Sequence, residues 1–473
     1  MQDRHIKWFG CQPINGGYTM ERNRKLILEG SLVRAILTLA IPIMLNNLIQ
    51  SLYNIGDAFW VSRMGDVQVA AVNFVWPVTF LTISFATGIA VAGAAMISQY
   101  IGANQVKEAN ETAQQLYIFA LFFGIIACAI GMVFTPAIVK LMGAKGELLS
   151  EGTLYLRIIF IQVPFLFMMN IFLAINQAQG DTITPMILNA SSAILNIILD
   201  PIFIFVFDLG IQGAAWATVM SMVPFSLFGI YRLTHGLNYI KIFPYNLKIN
   251  YQKMKMLIRM GIPSSMGSSG VAFGFIILFS FVVQYGDSAV AALGIGNRLN
   301  SLAFMPAVGV GAALTTITGQ NLGANQVERV KKAYRISIAL ALVFLFMTTS
   351  IIWFFAPQLV SIFSNTQEVV QHGTFYLRAL AMTTWSISFF NCALGLLNGS
   401  GHTLHAMFLD AGRLWLIRIP LILLLGHFTS LGPTSVWIAV SISNPIASII
   451  AFIVTLTGVW KTPKVRDLHI ISE

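Results

Sequence analysis

The pentapeptide Gly102-Ala103-Asn104-Gln105-Val106 recurs residue for residue as Gly323-Ala324-Asn325-Gln326-Val327, and 323 minus 102 sets an offset of 221 positions. The same shift carries Ile41-Pro42 onto Ile262-Pro263, Gly65-Asp66 onto Gly286-Asp287, Tyr155-Leu156-Arg157 onto Tyr376-Leu377-Arg378, and Gly180 onto Gly401. Agreement over so long a stretch without a gap marks an internal duplication. At about 37 residues per membrane helix and loop, one copy holds six spans. Six is even, so both copies enter the membrane in the same sense. Two halves related by a pseudo-two-fold along the membrane normal, with a cleft between them, are therefore expected.

The membrane setting follows from composition. Of 473 residues, 56% are apolar and only 10% charged, which leaves too little polar surface for a water-soluble fold. A mean hydropathy of +0.76 points the same way. Twelve stretches are long and apolar enough for a transmembrane helix: 34–62, 70–99, 113–139, 152–178, 185–207, 212–235, 256–284, 289–318, 334–357, 372–398, 405–427 and 434–460. They lack the polar alternation of a membrane barrel strand, so the expected class is an all-α polytopic membrane protein. Its parts would be a tail 1–33, an amino-terminal lobe 34–235, a linker 236–255, a carboxy-terminal lobe 256–460 and a tail 461–473.

Lysine and arginine are lopsided between alternate loops. One side holds Arg22, Arg24, Lys25, Lys107, Lys248, Lys253, Lys255, Arg329, Lys331, Lys332 and Lys461 among others. The opposite side keeps Arg63, Lys140 and Lys145. Basic loops stay in the cytoplasm, which places both termini there and explains the net charge of +10 without nucleic acid as a partner. No apolar leader precedes the first span, and Met20 is a second candidate start. The three cysteines, Cys11, Cys128 and Cys392, have neither zinc nor disulfide spacing, and no cofactor is expected. The absence of HExxH and GxSxG motifs argues against an intramembrane enzyme.

The copies differ where chemistry is expected. Asp57 corresponds to Leu278, Asp200 to Leu421, Asn196 to Ile417 and Asn176 to Leu397. A carboxylate within the bilayer costs about 2.5–3.5 kcal/mol even on lenient insertion scales, so an acid kept in one copy alone asks for a function. Asn46, Gln50, Tyr53 and Asp57 fall at helical spacing on one face of the first span. Asn189, Ser192, Asn196 and Asp200 form a second stripe in the fifth, ending beside Pro201. With Thr218, this amounts to an oxygen-rich nest suited to a proton or a hard monovalent cation. Two carboxylates in such a place resist carrying two charges at once. In the second copy, Asp410 and Arg413 have the spacing of an ion pair on one helix face.

The doubled Gly-Ala-Asn loops, the Ile-Pro opening the first span, QSLYNIGD around Gln50–Asp57 and LNIILDP around Asp200 resemble the multidrug and toxic compound extrusion (MATE) family, nearest its prokaryotic DinF-like branch. The resemblance implies a V-shaped two-lobe antiporter in the prokaryotic inner membrane, expected to act as a monomer. It would export organic, often cationic compounds in exchange for H+ or Na+. It further implies Asp57, Asp200, Asn196 and Thr218 as the coupling site, where Na+ could sit, and Gln50 and Tyr53 as substrate contacts. Asn46 and Asn176 are further substrate-contact candidates. Leu278 and the stretch 383–395 lack the acids of the NorM-like branch, so a sodium site in the second copy is not expected. A flippase for a lipid-linked precursor is the alternative reading; it would favour a cationic cleft. Pro42 removes a backbone hydrogen bond within the first span and is the expected hinge. Pro42→Ala is expected to slow transport in proteoliposomes, and transport equal to wild type would exclude the hinge role.

Overall fold

The computed structural model describes residues 16–235 and 240–466, and all regular structure among them is helical. Cys11 and the outer parts of both expected tails lie outside the described residues. A first helix, α1 (Gly16–Leu28), precedes the long helices α2 (Leu32–Ser62), α3 (Asp66–Gly102), α4 (Val106–Leu141), α5 (Gly146–Ala178), α6 (Ile183–Pro201) and α7 (Gly210–Thr234). The second copy runs α8 (Tyr251–Val283), α9 (Asp287–Gly323), α10 (Val327–Ser361), α11 (Gln367–Thr384), α12 (Ile387–Ser400), α13 (Thr403–Gly412), α14 (Ile419–Phe428) and α15 (Thr434–Leu456). Both ends of α3 and α9 differ by the offset read from the sequence. Unusual backbone recurs with them: Asn104 and Asn325 have φ of 61° and 62°, and Gly180 and Gly401 have φ of 83° and 88°. Asparagine tolerates the left-handed region because its short side chain bonds locally, and this is why the duplicated loop motif is built around it.

Of the twelve expected stretches, ten form helices long and apolar enough to cross a membrane, or eleven when α11 and α12 count as one bent span. That pair turns by 55° at residues 385–386. No proline sits there. Instead, hydroxyls bond back onto their own turn: Thr383 and Thr384 donate to Leu380 O at 3.2 and 2.8 Å, and Ser386 to Thr383 O at 2.7 Å. Such back-bonding bends helices. The stretch 405–427 divides into α13 and α14 around a π-helical segment, Arg413–Arg418, and α6 passes into another, Ile202–Val206. In both copies the widened turn lies at or beside charged side chains, a common setting for π-bulges.

The polar stretch 1–33 contains α1, which hydropathy does not reveal. Its Arg24 donates to Ile101 O and Gly102 O at 3.0 and 3.2 Å, and Asn23 to Gly180 O at 3.0 Å. Arg329, at the start of α10, donates to Ile27 O at 3.1 Å and also to Gly30 O. Thus the second copy holds the lead-in to the first. The converse also holds. Gln114 of α4 bonds Phe243 N and O and Asn246 O, and Gln115 bonds Lys248 O and Asn250 N. The buried Lys253 of α8 pairs with Glu108 and Glu111 of α4, each at 2.7 Å. The expected linker 236–255 is shorter than its charge suggested, because α8 already begins at Tyr251.

The two copies meet along α3 and α9, where small buried residues face one another: Ala95 and Ser98 of α3 lie against Gly319 of α9. Small side chains let membrane helices approach closely. A Cβ on Gly102 would lie 1.9 Å from Gln320 O, and one on Gly323 would lie 2.0 Å from Gln99 O. Gln99 donates to Gly399 O at 2.8 Å, and Gln320, its counterpart in the repeat, donates to Ala178 O at 2.7 Å. Residues 178 and 399 are themselves counterparts. Two crossed amide clasps therefore close the bundle at the face that bears α1. Gly323→Ala is expected to lower stability by about 1–3 kcal/mol through overpacking. Gly294→Ala, where an added Cβ meets open space, should be neutral or stabilising. Melting temperatures in detergent check both.

Candidate functional site

Above the clasps, a cavity of about 330 Å³ opens between the copies, lined by α2, α3, α5, α6, α9 and α12. Its walls come in repeat-related pairs. Asn170 faces it with Asn391, Gln177 with Asn398, and Leu173 with Leu394. The cavity therefore straddles the pseudo-two-fold, and α2 adds Asn46 and Asn47 from the first copy alone. None of its lining residues is charged; apolar side chains and neutral amides and hydroxyls share the wall. That is the make-up of a small-molecule site, where a mostly apolar surface supplies affinity and a few polar groups orient the ligand.

A second, acidic constellation lies within the first copy. Asp200 and Asn196 are fully buried at the end of α6, and Thr218 of α7 is 7% exposed. The Asn196 amide fits best with its NH2 toward Asp200 Oδ2 at 3.1 Å and its oxygen accepting from Thr218 N at 3.3 Å. Asp57 of α2 lies near Asp200 and completes the group, and Tyr53 lies near the Thr218 hydroxyl. One carboxylate oxygen of Asp57 is buried without a hydrogen-bond partner among the described residues. An unpaired buried polar atom costs about 1–3 kcal/mol, more when charged, so this position favours a proton or a cation. The α2 to α6 contact is tight here, with a Cβ on Gly56 only 3.0 Å from Ile197. Asn189 also donates to Asn46 at 2.9 Å, joining the two helices nearer the cavity.

The structure thus brings Asp57, Asp200, Asn196, Thr218 and Tyr53 together and puts Asn46 on the cavity wall. Gln50 is exposed on the same helix. Asn176 is 1% exposed and bonds Phe172 O at 2.6 Å, away from the cavity lining. Pro42 is buried within an α2 that stays helical through it. The cavity is also lined by Asn47, Asn170, Gln177, Asn391 and Asn398, which the sequence alone does not single out. Asn170, Gln177, Asn391 and Asn398 are polar in both copies, so no difference between the copies marks them, while Asn47 lies off the polar face that carries Asn46, Gln50, Tyr53 and Asp57. Asp410 and Arg413 stand 3.9 Å apart, and Arg418, which is 5% exposed, bonds Ser443 and Asn444 at 2.9 Å each. Among the described residues, no cluster of histidine, cysteine and carboxylate side chains is arranged to hold a metal ion.

A duplicated helical bundle with an uncharged central cavity and a buried acid pair in one copy defines a polytopic membrane transporter. The chain belongs to the MatE family, whose model matches it twice, over residues 42–202 and 263–424. It is 30% identical to the Bacillus subtilis protein named "Probable multidrug resistance protein YoeA", over 93% of this chain and 96% of that one. A structure described as the outward-facing conformation of a multidrug resistance MATE family transporter of the MOP superfamily superposes with TM-score 0.87 at 28% identity, covering 94% of this chain and 98% of that chain. A MOP superfamily transporter from Pyrococcus furiosus, reported with a binding pocket of reverse polarity, matches with TM-score 0.87 at 29% identity, over 91% and 96% of the two chains. The protein is therefore a multi-pass membrane transporter, not an enzyme.

Replacing Asn196 by Leu removes the side-chain donor that faces the buried Asp200. A stability loss of about 1–3 kcal/mol is expected while that carboxylate is ionised. The loss should be larger at alkaline than at acid pH, as thermal melting across a pH series will read.

Proposed function

We propose that this chain is a multidrug efflux antiporter of the DinF-like branch, exporting organic, often cationic compounds in exchange for H+ or Na+. The observation that carries the reading is the unpaired Asp57 oxygen beside Asp200 in a buried cluster that the second copy lacks. Leu278, the counterpart of Asp57, is 1% exposed, so the second copy fills the same place with hydrocarbon. This asymmetry supports coupling through the first copy. Protonation, or Na+ held by Asp57, Asp200, Asn196 and Thr218, neutralises the group.

Asp57 lies eleven residues from Asn46 on α2, about 16 Å along the helix axis. A change at the acids therefore reaches the cavity through one rigid element, without direct contact between ion and substrate. The antiport logic requires only that the acid group and the cavity favour opposite arrangements of α2. Asn46, Gln50 and Tyr53 line the route between them. Asn176, buried off that route, is assigned a packing role instead. The basic residues at the face bearing α1 support an inside location for both termini, in the cytoplasmic membrane of a prokaryote. A cavity walled by both halves of one chain supports a monomer as the working unit.

Efflux of a fluorescent organic cation from proteoliposomes, driven separately by a proton and a sodium gradient, tests the reading. One gradient is expected to drive wild type, and Asp57→Asn is expected to fall to the background rate. Persistent gradient-driven transport in the variant removes Asp57 from the coupling site. No transport under either gradient for a panel of cations removes the antiport reading.

A further inference from the structure

Several polar side chains around the central cavity have their hydrogens already committed. Asn170 of α5 and Asn391 of α12, counterparts in the repeat, each donate from Nδ2 to the carbonyl one turn back, Leu166 O at 2.9 Å and Ile387 O at 3.2 Å. Gln177 does the same across the copies, donating from Nε2 to Ala312 O at 3.0 Å. A backbone carbonyl can only accept, so each of these amides is fixed with its NH2 turned to the backbone and its oxygen left over. The hydroxyls follow the same pattern. Thr87 donates to Ile83 O at 2.9 Å and Thr315 to Gly311 O at 3.3 Å, which leaves each with lone pairs and no hydrogen to give. All five side chains line the cavity.

Donors are sparser. Asn46 keeps its NH2, because its oxygen accepts from Asn189, and Asn47 lies beside it on α2. Asn398, the counterpart of Gln177, has its oxygen buried with no partner among the described residues, a further acceptor to which the wall supplies no hydrogen. The cavity thus has an accepting wall, drawn from α3, α5, α9 and α12, and a donating edge on α2. Carbonyl-type oxygens grouped in this way hold a cation by replacing its water, without themselves carrying charge. They do so best when the cation has hydrogens to offer, since a charge-assisted hydrogen bond is roughly twice as strong as a neutral one.

We propose that the central cavity selects amphipathic compounds whose cation bears N–H groups, such as a primary or secondary ammonium or an amidinium, over quaternary ammonium compounds of the same size. The oxygens of Asn170, Gln177 and Asn391 take the N–H groups, and the apolar part of the lining, Leu173, Met186 and Val308 among it, takes the hydrocarbon. A quaternary nitrogen fills the same space but leaves those acceptors unpaired, and a site built to hydrogen-bond its ligand discriminates against the analogue that lacks the group. This ligand class rests on the efflux reading, which makes the cavity the substrate site.

Titration calorimetry of the purified full chain with naphthylmethylammonium and with its N,N,N-trimethyl counterpart, alongside transport of both in proteoliposomes, tests the proposal. The two carry the same ring and the same single charge at neutral pH. The N–H compound is expected to bind about tenfold more tightly, a net gain of one charge-assisted hydrogen bond after its greater desolvation. Asn170→Leu with Asn391→Leu, which keeps the side chains near their original size and removes both oxygens, should bring the two affinities within about twofold. Melting temperature shows whether that variant is folded, and Asn391→Leu alone, expected to lose part of the preference, serves if it is not. Equal affinities in wild type, or an unchanged preference in a folded variant, overturns the proposal; gradient-driven transport of both compounds in that case leaves the efflux reading standing. Preferential binding of the N–H compound without gradient-driven transport of either upholds the ligand class and removes the efflux reading. Binding of neither compound to wild type overturns the proposal.

Discussion

The close approach of α3 to α9 is the constraint on which the remainder of the structure depends. Gly102 and Gly323 let each helix end rest on the backbone of the other, and the crossed donors Gln99 and Gln320 reach past that contact to Gly399 and Ala178. Everything on the axis is set by this seal: the floor of the central cavity, the pairing of Asn170 with Asn391, and the lateral placement of α2. The clasps are also incomplete. Each of the two glutamines leaves its side-chain oxygen buried without a partner among the described residues. An amide half satisfied in a low-dielectric setting is costly, so the closed arrangement holds its own opposing strain.

The acid cluster and the cavity sit on opposite stretches of α2, and this separation has an electrostatic meaning. A carboxylate beside a bound organic cation would hold both through direct pairing, and release would need that pair to break. Here the cavity wall is neutral, so on the proposed reading substrate selection would rest on shape, apolar area and amide orientation, with charge handled at the acids. Such a division suits varied substrates, because apolar area and a few amides tolerate many ligand shapes.

Much of the architecture was legible in the residues. The duplicated Gly-Ala-Asn motif disclosed the two copies, and the loss of Asp57 and Asp200 from the second copy pointed to the acid group, because an unshared acid in lipid has few explanations. What stayed hidden did so for physical reasons. Helix α1 is polar and lies at the membrane face, where hydropathy has no contrast to detect. The bend between α11 and α12 arises from hydroxyls bonding their own turn, a choice of rotamer that composition does not disclose. Asn391 and Asn398 looked unremarkable since their counterparts, Asn170 and Gln177, are polar too.

The mutual grip of the copies, with Arg329 holding the lead-in to α2 and Glu108 and Glu111 holding Lys253 of α8, has an ancestral consequence. Contacts in which position i of one unit meets j of the other, and j meets i, are isologous, the contacts of a two-fold homodimer. A single six-helix unit carrying Gln99, Ala178 and Gly102 would close on a second copy of itself with the same clasps. Joining two such units in one chain keeps that interface and releases it from symmetry. One half could then hold a pair of acids where its twin holds leucine, an inequality that no assembly of identical subunits can sustain.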